Sequence, residues 1–451
     1  MHIAILGPFG DLNLGEEATF VASLHHVAKR CPTARISCGC FSFDEAGRRY
    51  GIETFPLQRL SRAKARRRRQ RIEAAAMPQA AQDQGAPRAA RRFRSLAKAA
   101  LSPFLALGAV VRGCIDEVLF AKDCFRRLRD VDLLIVAGAN QCFDFFGGPW
   151  RYPYLLLRWA VLAKLRGAKF VFLSVGAGPI RSRLSRLFLR AALSLADELS
   201  FRDPVSRDEA IGLGVAKERC VVLPDLAFGL PAPGGGTSRI GEPRPVVAIN
   251  PMPVFDDRYW PEKDKGRYQE YVEKIAAFAD WLVERKYPLF FFATQPKDEF
   301  VIRDIGARMV RKDGIRLDGS YPATVEKVLE RISEADIVLA TRFHGIILAY
   351  VMNKPVLGIA YWQKTKDLME SLGQTGYLAN PRELLGSGGD FSLKDLKDRF
   401  ELLETRLEGE KIRIAATVRN LREELESAFD RLIVPPSGVS GPVVKSLQAG
   451  S

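Results

Sequence analysis

Metal-binding and disulfide patterns are missing from this sequence of 451 residues. Histidine occurs only four times, and the seven cysteines are an odd number at irregular spacing. Cys38-Gly-Cys40 has no further ligands nearby at the spacing that a zinc site requires. We therefore expect reduced thiols and no bound metal. The scarcity of histidine draws attention to the one in the second half of the chain, His344.

Long apolar runs are also missing. The uncharged run from Ala99 to Val111 has thirteen residues, whereas a helix needs roughly 20 to cross a bilayer. No signal-like apolar stretch opens the chain. These absences predict a cytoplasmic protein, which a peripheral contact could still hold on the inner face of the membrane.

Positive charge is abundant but local. The formal net charge is +15, and residues 59–98 hold thirteen Lys or Arg against two acidic residues. Such a segment suits nucleic acid, an anionic membrane surface or a solvated loop. The run RAKARRRRQR has no interleaved aromatic residues, which disfavours nucleic acid. An anionic membrane surface bound through residues 59–120 and a solvated loop remain as alternatives.

Strand-like and helix-like segments alternate along the chain. Apolar runs such as HIAILGPFG, DLLIVAGAN and KFVFLSVGAG are separated by helix-length segments. This alternation predicts an α/β protein with parallel, doubly wound sheets. Pro and Gly interrupt the pattern at residues 231–245 before it resumes at VVAINPMP. We therefore expect two Rossmann-type domains that face each other across a cleft.

These breaks give the predicted domain bounds. Residues 1–230 form the N-terminal domain, and a basic, helical insertion occupies residues 58–130 within it. Residues 231–245 form the linker. Residues 246–433 form the C-terminal domain with a long closing helix, and residues 434–451 form a flexible tail because of their Gly, Ser and Pro content.

The stretch TRFHG joins an apolar run, ADIVLA, to a helix-like segment, IILAYVMN. Arg342 and His344 should thus lie at a strand's carboxyl end and a helix N-terminus, where an anion is favoured. Arg342 offers two parallel donors to a carboxylate or phosphate, and His344 could transfer a proton. Lys364 follows the next strand and should approach the same anion. In the structural alternative, His344 caps the helix and Arg342 makes a surface salt bridge.

The first loop, GPFGDLNLGEEA, is rich in glycine. Such a loop suits nucleotide binding and a tight turn about equally. Asn13 offers an amide, and Glu16 with Glu17 opens the following helix. This acidic pair disfavours a bound phosphate and suits sugar hydroxyls or a catalytic base. Gly176 and Arg202 also lie at the ends of predicted strands.

Six motifs in order resemble the polysaccharide pyruvyl transferase family. They are GDLNLGEEA near the start, SVGAGP at 174–179, FRDPVS at 201–206, LPD at 223–225, TRFHG at 341–345 and Y-x-x-K at 361–364. The similarity spans about residues 1–375, with residues 58–130 outside it. The most specific part is R-x-H-G followed by K-P-V and Y-x-x-K.

The resemblance implies a GT-B-like pair of domains and a reaction in which phosphoenolpyruvate donates pyruvate to a sugar as a cyclic ketal. The acceptor would be a glycan or its lipid-linked precursor on the N-terminal domain, and the C-terminal domain would bind the donor. No metal and no cofactor besides this co-substrate is implied. The expected catalytic residues are His344, as general acid or base, and Arg342. The expected donor-binding residues are Arg202, Lys364 and Gly345. The expected acceptor-binding residues are Asn13, Glu16 and Asn140.

Two departures from the family pattern bear on the acceptor. Relatives usually carry a run of glycines after the fourth strand, where this chain has Ala137, Gly138, Ala139 and Asn140. Glu16 stands where Asp is commoner. The first alternative function is a GT-B glycosyltransferase with a nucleotide-sugar donor, since the fold serves it equally. The second is a non-catalytic scaffold or nucleic-acid binder that uses RRRRQR.

Overall fold

The computed structural model describes residues 1–10, 12–59, 102–145, 147–231, 244–260, 263–312, 315–317, 319–360, 363–379 and 393–433. In the helix that begins at Ser102, side chains are described from Val111 onward. Most of the predicted basic segment and linker, and all of the predicted tail, lie outside these residues. The predictions made for those segments therefore stay predictions.

The first half of the chain alternates strands with helices. Its strands are β1 (His2–Leu6), β2 (Arg35–Cys40), β3 (Glu53–Pro56), β4 (Leu133–Ala137), β5 (Asn140–Cys142), β6 (Lys169–Ala177), β7 (Glu198–Phe201) and β8 (Cys220–Val222). Its helices are α1 (Leu14–Arg30), α2 (Phe43–Tyr50), α3 (Ser102–Arg127), α4 (Tyr152–Arg166), α5 (Arg183–Leu195) and α6 (Pro204–Gly212), and a 3₁₀ turn covers Leu226–Gly229. Strands such as β4 are buried along their whole length, as expected where helices cover both faces of a parallel sheet.

These strands form one parallel sheet in the order β3-β2-β1-β4-β6-β7-β8, and β5 pairs with β6. The strand order reverses between β1 and β4, which is the point where open parallel sheets bind ligands. The loops after β1 and β4 carry the predicted acceptor residues. The fold therefore brings Asn13 and Asn140 to one edge of this sheet.

The second half repeats the pattern on a smaller scale. Its strands are β9 (Val247–Asn250), β10 (Leu289–Phe291), β11 (Ile337–Ala340), β12 (Val356–Ile359) and β13 (Leu378–Ala379), all parallel, in the order β10-β9-β11-β12-β13. Its helices are α7 (Lys265–Glu284), α8 (Asp298–Arg308), α9 (Val325–Ser333), α10 (Phe343–Val351), α11 (Gln363–Ser371), α12 (Leu393–Thr405) and α13 (Leu407–Leu432). Here the order reverses between β9 and β11, so the loop after β11 lies at a second ligand-binding edge.

α3 occupies the C-terminal part of the predicted insertion at 58–130. It precedes β4, which pairs with β1 in the middle of the sheet, whereas β3 is the outermost strand, so α3 is the crossover helix that this strand order requires. The bounds of the insertion stay a prediction.

One of the three hydrophobic clusters among the described residues extends across both halves. A single cluster of buried side chains runs from Phe9 and Ala18 in the first half to Ile346 in the second. The Leu14 amide donates to the Thr294 carbonyl across the two halves at 3.1 Å. The cleft is therefore closed at its base by packing, which fixes the edges of the two sheets against each other.

The predicted closing helix is two helices, since α12 ends at Thr405 and α13 begins at Leu407. α13 returns to the first half, where Lys29 and Arg30 of α1 form ion pairs with Glu426. The ring of His26 stacks on that of Phe429 with centroids 4.7 Å apart. α13 thus ties the second half to α1. Within the described part of the chain, no helix combines the length and hydropathy needed to span a membrane.

Candidate active site

His344 lies in the first turn of α10, at the carboxyl end of β11. The buried strand β11 ends at Ala340, and Arg342 is in extended conformation immediately before the helix. The predicted strand, turn and helix are confirmed here, except that the helix already begins at Phe343. Because the first backbone N–H groups of a helix have no partners within it, this end of α10 favours an anion.

Gly345 allows α10 to pack against the end of β9. A Cβ atom at Gly345 would lie 2.2 Å from Oδ1 of Asn250. Asn250 is fully buried, and its Nδ2 donates to the carbonyl of Phe292 at 2.9 Å. The glycine is therefore required by packing, and its predicted role on the donor stays a prediction.

The imidazole of His344 faces a carboxylate from the other half of the chain. Its Nε2 lies 3.8 Å from Oδ2 of Asp225, and the two side chains are 14% and 3% exposed. Neither atom has a hydrogen-bond partner among the described residues, although both are buried. A shift of about 1 Å would bring them within hydrogen-bond distance. Such a pair is suited to hold and orient a proton.

Two cations lie close to the ring of Phe343. Cζ of Arg202 is 4.8 Å from the ring centroid, and Nζ of Lys364 is 5.3 Å from it. Arg202 follows β7 and is 4% exposed, with Nη1 at 3.6 Å from Oδ2 of Asp225. A cation beside the face of an aromatic ring is stabilised electrostatically. The ring thus holds positive groups from both halves beside His344.

Burial changes the protonation of both bases in the site. It lowers the pKa of His344 from 6.5 to about 4, an effect that Asp225 opposes and the neighbouring cations strengthen. Burial also lowers the pKa of Lys364 from 10.5 to about 8, and the charge of Arg202 adds to the shift. At neutral pH the site therefore combines a neutral imidazole with a mostly protonated lysine. A bound anion would raise both pKa values.

Arg342 is anchored by a buried carboxylate. Its Nε donates to Oδ1 of Asp298 at 3.0 Å, and its Nη2 donates to the same oxygen. Asp298 is fully buried and also accepts from the amide of Thr294. The alternative of a surface salt bridge is therefore wrong, since the Arg342 side chain is itself only 15% exposed. A role on the donor would use its remaining N–H groups.

The N-terminal half covers His344 through Gly15. A Cβ atom at Gly15 would lie 2.3 Å from Nδ1 of His344 and 2.5 Å from its Cβ. Gly15 is the second residue of α1, so the start of that helix rests directly on the imidazole. The site is thus assembled from the ligand-binding edges of both sheets.

We expect Gly15→Ala to lower turnover and to destabilise the protein by about 1–3 kcal/mol, because the added methyl group overlaps His344. Thermal melting and initial rates would measure both effects. Gly409→Ala is the matched control, since it lies in α13 with open space at its Cβ position and should be neutral or stabilising. A fully active Gly15→Ala enzyme would contradict this packing.

The two acceptor residues of the first loop are placed differently. Asn13 is the N-cap of α1, and its side-chain oxygen accepts from the amide of Gly15 at 3.2 Å. Glu16 is close enough to Lys364 to oppose the lowering of the pKa of that lysine. Glu17 turns away from the site to pair with Arg49. The structure therefore separates the acidic pair and leaves Glu16 at the site.

Asn140 belongs to a tight arrangement around Gly176. A Cβ atom at Gly176 would lie 2.7 Å from Oδ1 of Asn140 and 2.8 Å from Cζ of Arg202. The preceding Ser174 has a φ of 52° at the irregularity between β6 and β7, and its amide donates to the hydroxyl of Ser200. This bulge aims the end of β6 between the predicted acceptor and donor residues.

Two other glycines of the first loop serve packing. A Cβ atom at Gly7 would overlap the ring of Phe9, and one at Gly10 would meet Ser42. Gly10 also has a φ of 75°, which favours glycine. In this part of the loop the space is filled by protein, so the tight-turn interpretation holds for it.

The family model for polysaccharide pyruvyl transferases matches residues 13–363. The chain belongs to this family. The match includes the start of α1 and the residues Arg202, Asp225, Arg342 and His344, and it ends at the first residue of α11, immediately before Lys364. Among curated proteins, none matches the sequence.

The fold of this pyruvyl transferase family member is shared with solved structures of an epimerase and a glycosyltransferase. A putative UDP-N-acetylglucosamine 2-epimerase from Listeria monocytogenes has 10% identity and a TM-score of 0.52, with 95% of this chain and 97% of that chain covered. A glycosyltransferase from Rickettsia africae ESF-5 has 10% identity and a TM-score of 0.50, with 96% and 98% covered. At this identity the likeness shows the fold alone. The chain has the GT-B fold that was expected from the sequence.

Sequence reasoning missed three residues of the site. Asp225 is part of the motif LPD, but the sequence indicated no function for it. Asp298 and Phe343 were not among the predicted site residues. Asp225 follows β8 and Asp298 follows β10, so the rule that ligands bind beyond the carboxyl ends of strands would have found both carboxylates. No cluster of three or more metal-binding side chains occurs among the described residues.

Proposed function

We propose that this protein transfers pyruvate from phosphoenolpyruvate to a pair of sugar hydroxyls on a polysaccharide or its lipid-linked precursor, forming a pyruvate ketal. One observation carries the proposal. Arg202 and Lys364 both lie close to the ring of Phe343, next to His344 with its buried Nε2, at a helix N-terminus in the cleft between two GT-B halves. Family membership supports the same reaction class.

The charges of the site suit a small, highly charged donor. Phosphoenolpyruvate carries a carboxylate and a phosphate, up to three negative charges at neutral pH. Arg202 is 4% exposed and Lys364 is partly buried, and the interaction of such charges with an anion is stronger than in open water. Arg342 adds a guanidinium whose direction is fixed by Asp298. The remaining N–H groups at the start of α10 complete the donor side.

The proposed chemistry has two additions. A proton is added to the methylene carbon of phosphoenolpyruvate, which makes that carbon a methyl group and leaves a cationic centre at C2. The first sugar hydroxyl attacks C2 and loses its proton. Phosphate then leaves with the C–O bonding electrons, and the second hydroxyl attacks C2 to close the ketal. Of the two hydroxyl protons, one balances the proton added to carbon and the other leaves with phosphate.

His344 is the proposed proton donor to the methylene carbon. Its low pKa without a ligand means that it is neutral at neutral pH. A bound trianion would raise this pKa, as Asp225 already does in part. Donor binding and protonation of the catalytic imidazole are therefore coupled, so the acid forms when its substrate is present.

The N-terminal half would present the acceptor. Glu16 and Asn140 lie at the carboxyl edge of the first sheet, across the cleft from the start of α10. A carboxylate is suited to accept a hydrogen bond or a proton from a sugar hydroxyl. Ala139 replaces one of the glycines usual in relatives and is fully buried with a φ of 56°. This narrower loop would restrict which sugar can enter.

The function is tested by phosphate release from phosphoenolpyruvate against a panel of soluble and lipid-linked glycans. Release that depends on one class of acceptor supports the proposal. Nucleoside diphosphate release from a nucleotide sugar, with phosphoenolpyruvate untouched, would instead identify a glycosyltransferase. The absence of both activities across the panel would favour a non-catalytic scaffold.

We expect Arg342→Lys to weaken phosphoenolpyruvate binding about tenfold, because a lysine cannot hold Asp298 and the donor with one planar group. Isothermal titration calorimetry measures the affinity. Arg308→Lys is the control, since this arginine lies on α8 in an exposed ion pair with Glu273. Unchanged affinity in Arg342→Lys would remove this residue from the donor site.

A further inference from the structure

α3 exposes a stripe of apolar side chains. Val111, Ile115, Val118 and Leu119 are 49%, 54%, 67% and 59% exposed. Their spacing places them on one face of the helix. Single exposed apolar residues are ordinary on a protein surface, but an aligned group on one helix face marks an interaction surface. These four residues are called the α3 face below.

An exposed tryptophan extends this surface. Trp150 is 67% exposed and lines the same groove as Val118, between α3 and the start of α4. Its ring packs against the rings of Tyr154 and Phe188, and each of these ring centroids is 5.6 Å from that of Trp150. A tryptophan fixed on one side and open on the other is typical of protein segments at the interface between lipid and water.

The acidic residues of α3 are each paired with an arginine. The pairs are Asp116 with Arg59, Glu117 with Arg158, and Asp123 with Arg127. The helix also carries the exposed basic residues Lys122 and Arg126. The sequence that joins Arg59 to α3, residues 60–101, adds twelve Lys or Arg and only two acidic residues. The sequence that leads into α3 is therefore strongly positive.

We propose that the α3 face and Trp150 form a docking surface for an anionic lipid bilayer. Apolar side chains would enter the interfacial region, and the exposed basic residues Lys122 and Arg126 of the same helix would bind the lipid head groups. Neither signal alone holds a protein firmly on a membrane, but the two together do. A solvated protein face has no need for aligned apolar side chains, and nucleic acid offers no apolar phase to receive them.

The position of this surface suits a lipid-linked acceptor. Arg59 follows β3 and Trp150 precedes α4, so both lie at the carboxyl end of the first sheet, as Asn140 does. α3 runs from that end to the amino end of β4. Resting on the proposed function, this arrangement would place the acceptor side of the cleft close to the membrane plane.

The test is flotation with vesicles of phosphatidylcholine and phosphatidylglycerol, compared with phosphatidylcholine alone, at low and high salt. We expect the wild type to float with the anionic vesicles and to be released by salt. The double variant Val118→Glu with Leu119→Glu should lose about tenfold or more in binding, because each buried Val or Leu contributes at least that much. Val310→Glu with Ile412→Glu is the matched control, with sites 87% and 73% exposed elsewhere, and should float like the wild type.

Three results would overturn the proposal. In the first, the wild type fails to float with anionic vesicles at low salt. In the second, the α3 double variant floats as well as the control. In the third, the wild type is dimeric without lipid and the double variant is monomeric, which would assign the face to a second copy. Phosphoenolpyruvate binding, measured on the same proteins without vesicles, separates this test from that of the proposed function. A protein that floats as expected but binds no phosphoenolpyruvate would refute the function and leave the docking surface in place.

Discussion

Replacement of His344 by alanine should lower turnover by a factor of about 10² to 10⁴ and leave the fold intact. The imidazole is the proposed acid for the methylene carbon, and water would have to replace it in a site closed by Gly15. Truncation to alanine removes Nε2, which has no hydrogen-bond partner among the described residues. Initial rates of phosphate release and thermal melting measure the two effects.

Two further variants make this test specific. His344→Gln keeps a polar side chain of similar reach without proton transfer near neutral pH, so it should be as inactive as His344→Ala. His25→Ala removes an exposed histidine of α1 and should retain full activity. Wild-type turnover in the His344→Ala enzyme would show that His344 has only a structural role at the start of α10.

Asp225→Asn should shift the pH dependence of turnover. The carboxylate lies 3.8 Å from His344 and opposes the lowering of its pKa by burial and by the nearby cations Arg202, Lys364 and Arg342. A general acid is lost as pH rises through its pKa. Removal of the negative charge lowers that pKa, so the alkaline limb of the kcat profile should move to lower pH by about one to three units. Turnover at neutral pH then falls about tenfold for each unit.

Asparagine preserves the structural role of this residue. Oδ1 of Asp225 accepts from the amide of Ala227 at 3.0 Å, and an asparagine oxygen can do the same. Asp208→Asn is the control, because this carboxylate is 62% exposed in an ion pair with Arg207. An Asp225→Asn enzyme that melts normally and keeps the wild-type pH profile would show that Asp225 does not act on the imidazole.

The strand-end rule explains why much of the site could be predicted. In a parallel sheet every carboxyl end lies at one edge, so the residues after buried strands converge whatever their distance in sequence. Arg202, His344 and Lys364 come from three such ends, and the structure brings them together around Phe343. Arg202 follows a strand of the first sheet, so its position beside the other two also depends on the expected cleft between the two domains.

Which side chains pair within the site could not be predicted from the sequence. The sequence does not distinguish a buried aspartate such as Asp298 from a solvated one. The pairing of Asp298 with Arg342 depends on how two segments of the chain pack together. The contact between Gly15 and His344 depends on how the two halves meet. The crossover helix α3 was hidden for another reason, since the basic segment before it lengthened an ordinary connection beyond its usual size.

Running the reaction in deuterium oxide and recording the NMR spectrum of the acceptor would test the proposed pyruvyl transfer directly. We expect a pyruvate ketal whose methyl group carries one solvent-derived deuterium, formed together with an equal amount of inorganic phosphate. That deuterium would report the proton added to the methylene carbon from an exchangeable site such as His344. An acceptor that instead gains a sugar from a nucleotide sugar, with phosphoenolpyruvate unconsumed, would contradict the proposed transfer.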